Sequence, residues 1–504
     1  MATLSNKHSN AQTIFYSSFD GGLNLSVPSE SLPKNELKEA LNVELSPLTG
    51  AMKVRGGLVW SGRFPEEIDF VVPVRGRKGF LARVKGTRRL YYFLWNNILK
   101  VSGELTGDED ITIEPWVDAE ENDCWLIASG GKLQKLIDKE MPELTTLENA
   151  PENSRQVFIR NGRVGVLDGT DIIRFSWVGD CESWNTDDND VSTGQYVKIG
   201  YKDGMNIDAV IPLSKDLIIF KSPTGEPDKG TIWRLTGDFG STPETTTLQV
   251  LEAAHNTGTY SPRSIKAVGN DVYYVTLSGV ASLSSVTAYG EVKTSWPDRK
   301  VSNALTPQID DTAELWDVAV KQQLWILPSR DREEIWVFDY GRGIWTKFKF
   351  PAKIIHAAGV DDRLYVFIGK DLYEVIDGYT QDDMKEGGKQ TIEAVMRLGT
   401  ILNGKQTLIK GAFASFELMP ECKAELLLGK YKMPFSYGGV IDRIYDPPND
   451  TDIAYEDDDP LFPEGSVLTA RRRCIVRDWQ ITPEIRIYGG GCSISTMGLE
   501  VVEV

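Results

Sequence analysis

The sequence predicts an all-β protein built from repeated meanders, and three observations carry that prediction. Short runs of alternating apolar and polar residues recur from about Asp69 to Asp377. Tight-turn pairs such as Asn161-Gly162 separate them. Tryptophan (13 residues), tyrosine (18) and glycine (46) are plentiful in the 504-residue chain, which suits pleated sheets and tight turns better than helical bundles. Meanders at this spacing mark radially repeated sheets, in which each unit buries a face against the next. A pair of packed sandwiches would use many of the same strands.

Taken in order, residues 1–13 are polar and read as a flexible arm. Asn35 to Asn42 and Gly131 to Asp138 have the spacing of short amphipathic helices. The strand pairs begin with F-L-A-R-V and L-Y-Y-F-L-W-N-N-I-L-K-V (80–101) and continue at 156–175, 216–235, 270–283, 323–348 and 362–375. About six such units follow one another. Within a run, neighbouring residues take opposite faces, so Val157 and Ile159 look one way and Phe158 the other. Asn161-Gly162 suits a type I′ turn because both central residues must accept positive φ. Asp168-Gly169 and Ser278-Gly279 are similar signals.

From Gly378 to Gly388 the chain turns polar and reads as a boundary. A second all-β region follows, interrupted by an acidic, Pro-rich stretch from Asp446 to Pro460 that reads as an exposed loop. The expected domains are 1–60 (arm and motif segment), 61–378 (repeated meanders) and 379–504 (antiparallel β region).

Size and composition narrow the function. A chain of this length has room for two to four domains, and 41% hydrophobic with 25% charged residues is ordinary for a globular protein. No apolar run approaches the ~20 residues of a membrane span, so none is expected. The net charge of −18 and pI near 4.8 argue against tight phosphate binding. Acidic walls would suit transient passage of a polyanion without adhesion, and solubility alone accounts for the charge at least as well. Cys124, Cys181, Cys422, Cys474 and Cys492 show no C-x-x-C pair, so they read as free packing thiols of a reducing cytoplasm.

Catalytic signatures are weak. His8, His255 and His356 lie in unrelated contexts with no G-x-S-x-G beside them, and neither G-x-x-x-x-G-K-[ST] nor a βαβ-embedded G-x-G-x-x-G occurs. Thr186 to Asp190 has the carboxylates for calcium but lacks the EF-hand glycine and terminal glutamate, and reads as a solvated turn. Paired carboxylates of a propeller glycosidase have no distinctive spacing here. Trp233, Trp325, Trp336 and Trp345 alternate as strand residues and are expected in the core. The expectation is therefore no catalytic, metal or cofactor site. Two basic clusters, one containing Arg75, Arg77, Lys78, Arg88 and Arg89 and the other Arg471, Arg472 and Arg473, are candidates for contacts to a neighbouring subunit or a DNA backbone, with a plain solvated face as the equal alternative.

Three ordered phrases add a family resemblance. Phe19 to Leu58 contains Phe19, Gly21-Gly22-Leu23, then Asn42 after a short amphipathic stretch, then Arg55-Gly56. Asp171 to Trp184 places Ser176, Gly179, Asp180, Ser183 and Trp184 in a Ser/Gly-Asp/Ser-Trp series. Trp177 and Cys181 depart from it. The third phrase runs from Arg471-Arg472-Arg473 to a Gly-rich turn and a last alternating strand. Together they resemble the tail nozzle and packaged-DNA stabilisation proteins of short-tailed bacteriophages. The resemblance implies an irregular β-propeller with an additional C-terminal antiparallel β region, which selects between the two all-β architectures.

It also implies a structural virion protein, non-enzymatic, assembled in the host bacterial cytoplasm and located in the virion tail. Its partners would be copies of itself in a ring, expected to be a hexamer, adaptor or head-tail connector proteins, and tail fibres or tailspikes. Double-stranded DNA would pass transiently during ejection. The alternative is a receptor-binding or carbohydrate-active propeller of a phage tail.

Overall fold

The computed structural model describes residues 11–46, 50–74, 79–94, 97–118, 121–137, 141–169, 171–187, 190–200, 203–240, 242–286, 291–360, 362–436 and 467–503. The chain forms two compact units that are discontinuous in sequence. One holds residues 1–60, 336–351 and 375–504; the other holds 61–335 and 352–374.

The second unit is a β-propeller. Five four-stranded antiparallel sheets follow one another, with first strands Ile68–Val74, Thr112–Val117, Ser154–Arg160, Asn206–Leu213 and Ile265–Val268. Glu314–Val318 pairs with Gln323–Leu327, and His356–Val360 with Arg363–Ile368. The first strands of all seven sheets lie side by side in a closed ring, the last packing against the first.

Adjacent sheets bury their apolar faces on each other. Tyr92 and Leu81 of the first meet Trp125 and Ile127 of the second. Leu126 and Ala128 of the second meet Val157 and Val164 of the third. Phe80 and Phe93 of the first meet Tyr365 and Phe367 of the last, which closes the circle. Each of these interfaces buries one sheet on the next, and a wheel satisfies them all at once; a pair of stacked sandwiches would not produce this circular order.

Local turn chemistry behaves as the sequence predicts. Asn161 and Gly162 have φ of 50° and 71°, and Arg160 faces Arg163 across that two-residue turn. Gly169 and Gly279 also take positive φ. Trp325, Trp336 and Trp345 are fully buried, and Trp233 is half-buried against the core between the third and fourth sheets.

The first unit contains an antiparallel sheet ordered Val467–Ile481, Ile401–Glu417, Ser493–Glu503, Met52–Val54, Val43–Leu45, with Ala11–Tyr16 also paired to Ser493–Glu503. A second run of strands orders Ile344–Lys349, Glu39–Leu41, Glu393–Arg397, Pro483–Tyr488, Lys423–Leu428 and Tyr431–Ser436. Long strands suit the alternating burial of Ile409, Ala412, Ala414 and Phe416, which put one face on the core.

Three expectations need correction. Asn35 to Asn42 is not helical: Glu36–Leu37 pairs parallel with Gly22–Leu23, and Glu39–Leu41 sits between two other strands. Gly131 to Asp138 contributes Gln134–Ile137 to the second propeller sheet. In both segments, strand pairing overrides a weak helical preference. The arm is shorter than expected, since residues 11–13 already belong to a strand. The acidic stretch 446–460 lies outside the described residues.

Candidate functional site

The propeller ring encloses a cavity of about 850 Å³ lined by its seven first strands. Its wall carries a charged cluster. Arg263 pairs with Asp110 at 2.7 Å and with Glu314 at 3.1 Å. Glu314 also accepts from Arg330 at 3.0 Å and from the Trp316 indole at 3.0 Å. Burial pushes the Glu314 carboxyl above its ordinary range while the Arg263 charge opposes that shift.

His356 lines the same cavity beside Trp316, with ring centroids 5.5 Å apart. Loss of solvent, reinforced by the Lys266 and Arg263 charges, pushes its pKa down to about 3, so the ring is neutral at physiological pH. Chemically the wall offers hydrogen-bond acceptors, of which Asp110 and Glu314 are held in ion pairs with Arg263.

A second cavity, about 220 Å³, is lined by Glu109, Arg155, Gln156, Asp208 and Tyr260, among others. Burial raises the Asp208 carboxyl to about 7, partly offset by a hydrogen bond from Ser222 at 2.5 Å. The Tyr260 hydroxyl is buried with no hydrogen-bond partner among the described residues. Burial raises its pKa to about 12.

The residues of the first phrase occupy the other unit, where three of them converge. Arg55 is sealed from solvent and grips Asp382 through two bonds, Nη1 to Oδ1 at 3.0 Å and Nη2 to Oδ2 at 2.7 Å. Its remaining donors go to the Asn42 side chain at 3.2 Å, the Gly56 carbonyl at 3.0 Å and the Lys349 carbonyl at 3.1 Å. The guanidinium also lies over the Phe350 ring, 4.2 Å from its centroid.

Asn42 stands in the left-handed region with φ of 56° and ties three segments together. Its oxygen accepts from Arg55 and from the Lys349 amide at 2.8 Å, while its amide donates to the Glu393 carbonyl at 2.7 Å. Gly56 has no room for a side chain, since a Cβ there would lie 2.7 Å from the Ile376 carbonyl oxygen. Phe19 is completely buried, Gly21 donates to the Asn35 carbonyl, and Gly22 adopts φ of 63° against Ile344.

The second phrase forms a compact corner on the third propeller sheet. The Ser176 hydroxyl accepts from the Val164 amide at 3.1 Å, and Gly179, at φ of 73°, donates to the Gly162 carbonyl at 2.7 Å. Asp180 accepts from the Glu182 amide and the Ser183 hydroxyl. The Trp184 indole bonds the Cys181 carbonyl at 2.9 Å. These positions fix backbone shape, with Arg163 reaching in to the carbonyls of Ser176 and Thr193.

Of the first basic cluster, Arg89 forms a bidentate pair with Glu66, and Arg88 reaches Asp108 at 3.9 Å and the Thr106 carbonyl. Arg75, Arg77 and Lys78 lie outside the described residues. Arg471, Arg472 and Arg473 belong to the strand Val467–Ile481, opposite Phe413, Ala412 and Gly411. Sequence reasoning missed Asp382, which sits in the polar stretch it read as a boundary, and Glu314, Arg263, Asp110 and Asp208. A single carboxylate or guanidinium in a strand carries no local sign of its distant partner.

No family model matches the chain, and no curated protein matches it. Solved structures similar to it are β-propellers or carry other names at low identity. BamB from Moraxella catarrhalis is 10% identical, covering 64% of this chain and 96% of its own, with a TM-score of 0.33. The Cps50 (Swd1) β-propeller domain of Myceliophteria thermophila is 9% identical over 64% and 100%, TM-score 0.40. Virginiamycin B lyase from Staphylococcus aureus is 10% identical over 72% and 98%, TM-score 0.37.

Proposed function

We propose that this chain is a structural virion protein, a nozzle subunit of a short phage tail that assembles with its own copies into a ring. The ring, a hexamer by family resemblance, extends the DNA channel below portal and adaptor, retains the packaged genome and conducts it during ejection. One observation carries the reading: Asn42 and the Arg55-Gly56 step, 13 positions apart in the phrase that bears the resemblance, form one buried, connected constellation. This convergence supports reading the phrase as a fold-specifying signature rather than a chance series of common residues.

The charge balance supports the same reading. A net charge of −18 per chain disfavours adhesion to a passing polyanion. The described members of the first basic cluster are matched by Glu66 and Asp108, which limits what they offer to phosphate.

The test is solution mass, alone and with a purified portal-adaptor complex. Stable addition of a ring of copies to that complex is expected, even if the free chain is monomeric. Failure to join it would overturn the reading. A second reading, a receptor-binding or carbohydrate-active propeller, draws on the 850 Å³ cavity with Trp316 and Glu314 in its wall. Release of sugar from purified surface polysaccharide would favour it over the nozzle.

A further inference from the structure

Cysteines that lie 70 positions apart in sequence face each other inside the first unit. Cys422 ends a tight turn, its amide donating to the Met419 carbonyl at 3.1 Å, and leads into the strand Lys423–Leu428. That strand pairs with Pro483–Tyr488, Lys423 opposite Tyr488, so Gly489 falls across from Cys422. A Cβ at Gly489 would lie 2.3 Å from the Cys422 sulfur: the missing side chain is what leaves the thiol its room. The chain then turns through Gly490 and Gly491 and delivers Cys492, whose sulfur accepts the Met419 amide at 3.3 Å.

Met419 brackets the pair: its carbonyl accepts from the Cys422 amide and its amide donates to the Cys492 sulfur, which brings both cysteines to one buried turn. Both residues are buried, 2% and 0% exposed. Interaction between the two thiols lowers the Cys422 pKa from its ordinary value, against the effect of burial, and raises that of Cys492.

We propose that Cys422 and Cys492 are a latent disulfide: two thiols kept reduced during synthesis and joined when the protein meets peroxide in an oxidising medium. The reaction has two steps. The Cys422 thiolate attacks one oxygen of hydrogen peroxide, breaking the O–O bond; hydroxide leaves and Cys422 becomes a sulfenic acid. The Cys492 sulfur then displaces the sulfenic hydroxyl, forming the S–S bond and releasing water as its proton departs. In sum, two thiols lose two electrons and two protons, and one peroxide becomes two waters. A disulfide needs its sulfurs at about 2.05 Å. Thiols in contact stand farther apart than that, and the run Gly489-Gly490-Gly491, two of whose members take positive φ, has the backbone latitude to take up the shift.

Cys124 and Cys181 provide an internal comparison. They are also buried and near enough for the charge of one to raise the other, yet desolvation dominates at both and pushes them up to about 11 and about 12. Neither is primed as a thiolate, so the selectivity of oxidation should favour Cys422.

The experiment uses the full chain, purified reduced and exposed to hydrogen peroxide, then unfolded in excess N-ethylmaleimide and digested. Mass spectrometry should find a peptide pair linked through Cys422 and Cys492, lost again on treatment with dithiothreitol. The oxidised protein should also melt roughly 5 °C or more above the reduced one, because the bond closes a loop of about 70 residues. Cys492→Ala should abolish both the link and the shift in melting, leaving Cys422 as an over-oxidised or alkylated thiol. Recovery of both residues fully alkylated, after peroxide has consumed an exposed reference thiol, would overturn the proposal, as would a link that joins other cysteines instead.

Discussion

Arg55 and Asp382, 327 positions apart, meet as a fork: two nearly parallel hydrogen bonds of 3.0 and 2.7 Å between side chains only 2% and 3% exposed. Charge-assisted, bidentate pairs of this kind fix orientation as well as distance. Asp382 Oδ1 additionally accepts the Leu58 amide at 3.0 Å, so the carboxylate is held by side chain and backbone of the same amino-terminal segment. Asn42 completes the arrangement by bonding both the guanidinium and the strand that carries Lys349.

Removing one partner strands the other's charge in the interior. Asp382→Asn or Arg55→Ala is expected to cost about 3–5 kcal/mol, whereas replacing both with apolar residues of similar volume should cost less than either single change. Denaturant unfolding of the single and double variants reads this directly. Additive losses in the double variant would refute the interpretation.

Asn42 contributes both conformation and hydrogen bonds. Asn42→Gly keeps the left-handed backbone but loses the side-chain bonds; Asn42→Ala loses both. Expected stability therefore falls in the order Asn, Gly, Ala, with each lost buried bond worth about 1–3 kcal/mol. Equal melting of the Gly and Ala variants would show that φ at this position is unimportant.

Steric demand separates two glycines. A Cβ at Gly57 would stand 2.2 Å from the Gln381 carbonyl oxygen, while nothing lies within 4 Å of one at Gly169. Gly57→Ala must move backbone, at a cost of about 1–3 kcal/mol or more. Gly169→Ala bears only the strain of its φ of 73°, about 1 kcal/mol. Thermal denaturation of the two variants should rank them in that order.

Two groups give opposite pH dependences. Asp208 is held at about 7 by burial, so across roughly pH 4 to 7 the folded chain keeps a proton that the unfolded chain has released. Stability from this group falls as pH rises through that window. Asp208→Asn should raise the melting temperature above pH 7 and change little near pH 4.

His356 acts in the other direction. Its pKa of about 3 means the folded chain refuses a proton that the unfolded chain takes up below about 6.5. Its stabilising effect is complete above that value and is lost as the medium is acidified. His356→Gln should flatten the melting profile between pH 6.5 and 4; an unchanged slope would assign acid sensitivity elsewhere.

By itself, the sequence determined what is local. Period-two alternation placed strands in six of the seven propeller sheets and missed the second, Thr112–Val117 to Glu143–Thr146, and Asn161-Gly162 chose its own turn because only such residues accept two positive φ angles cheaply. The buried tryptophans of the strands followed from the same alternation. The amino-terminal phrase marked Asn42, Arg55 and Gly56 as special without revealing why.

Tertiary structure alone decided the long-range pairings. That Arg55 closes on Asp382, that seven first strands share one ring, and that Cys422 reaches Cys492 depend on which distant segments meet, and a sequence window holds only one side of each meeting. The segments at 35–42 and 131–138 make the same point in reverse. Their weak helical preference is worth only tenths of a kcal/mol per residue, less than the strand hydrogen bonds and buried surface offered by the neighbours that claimed them.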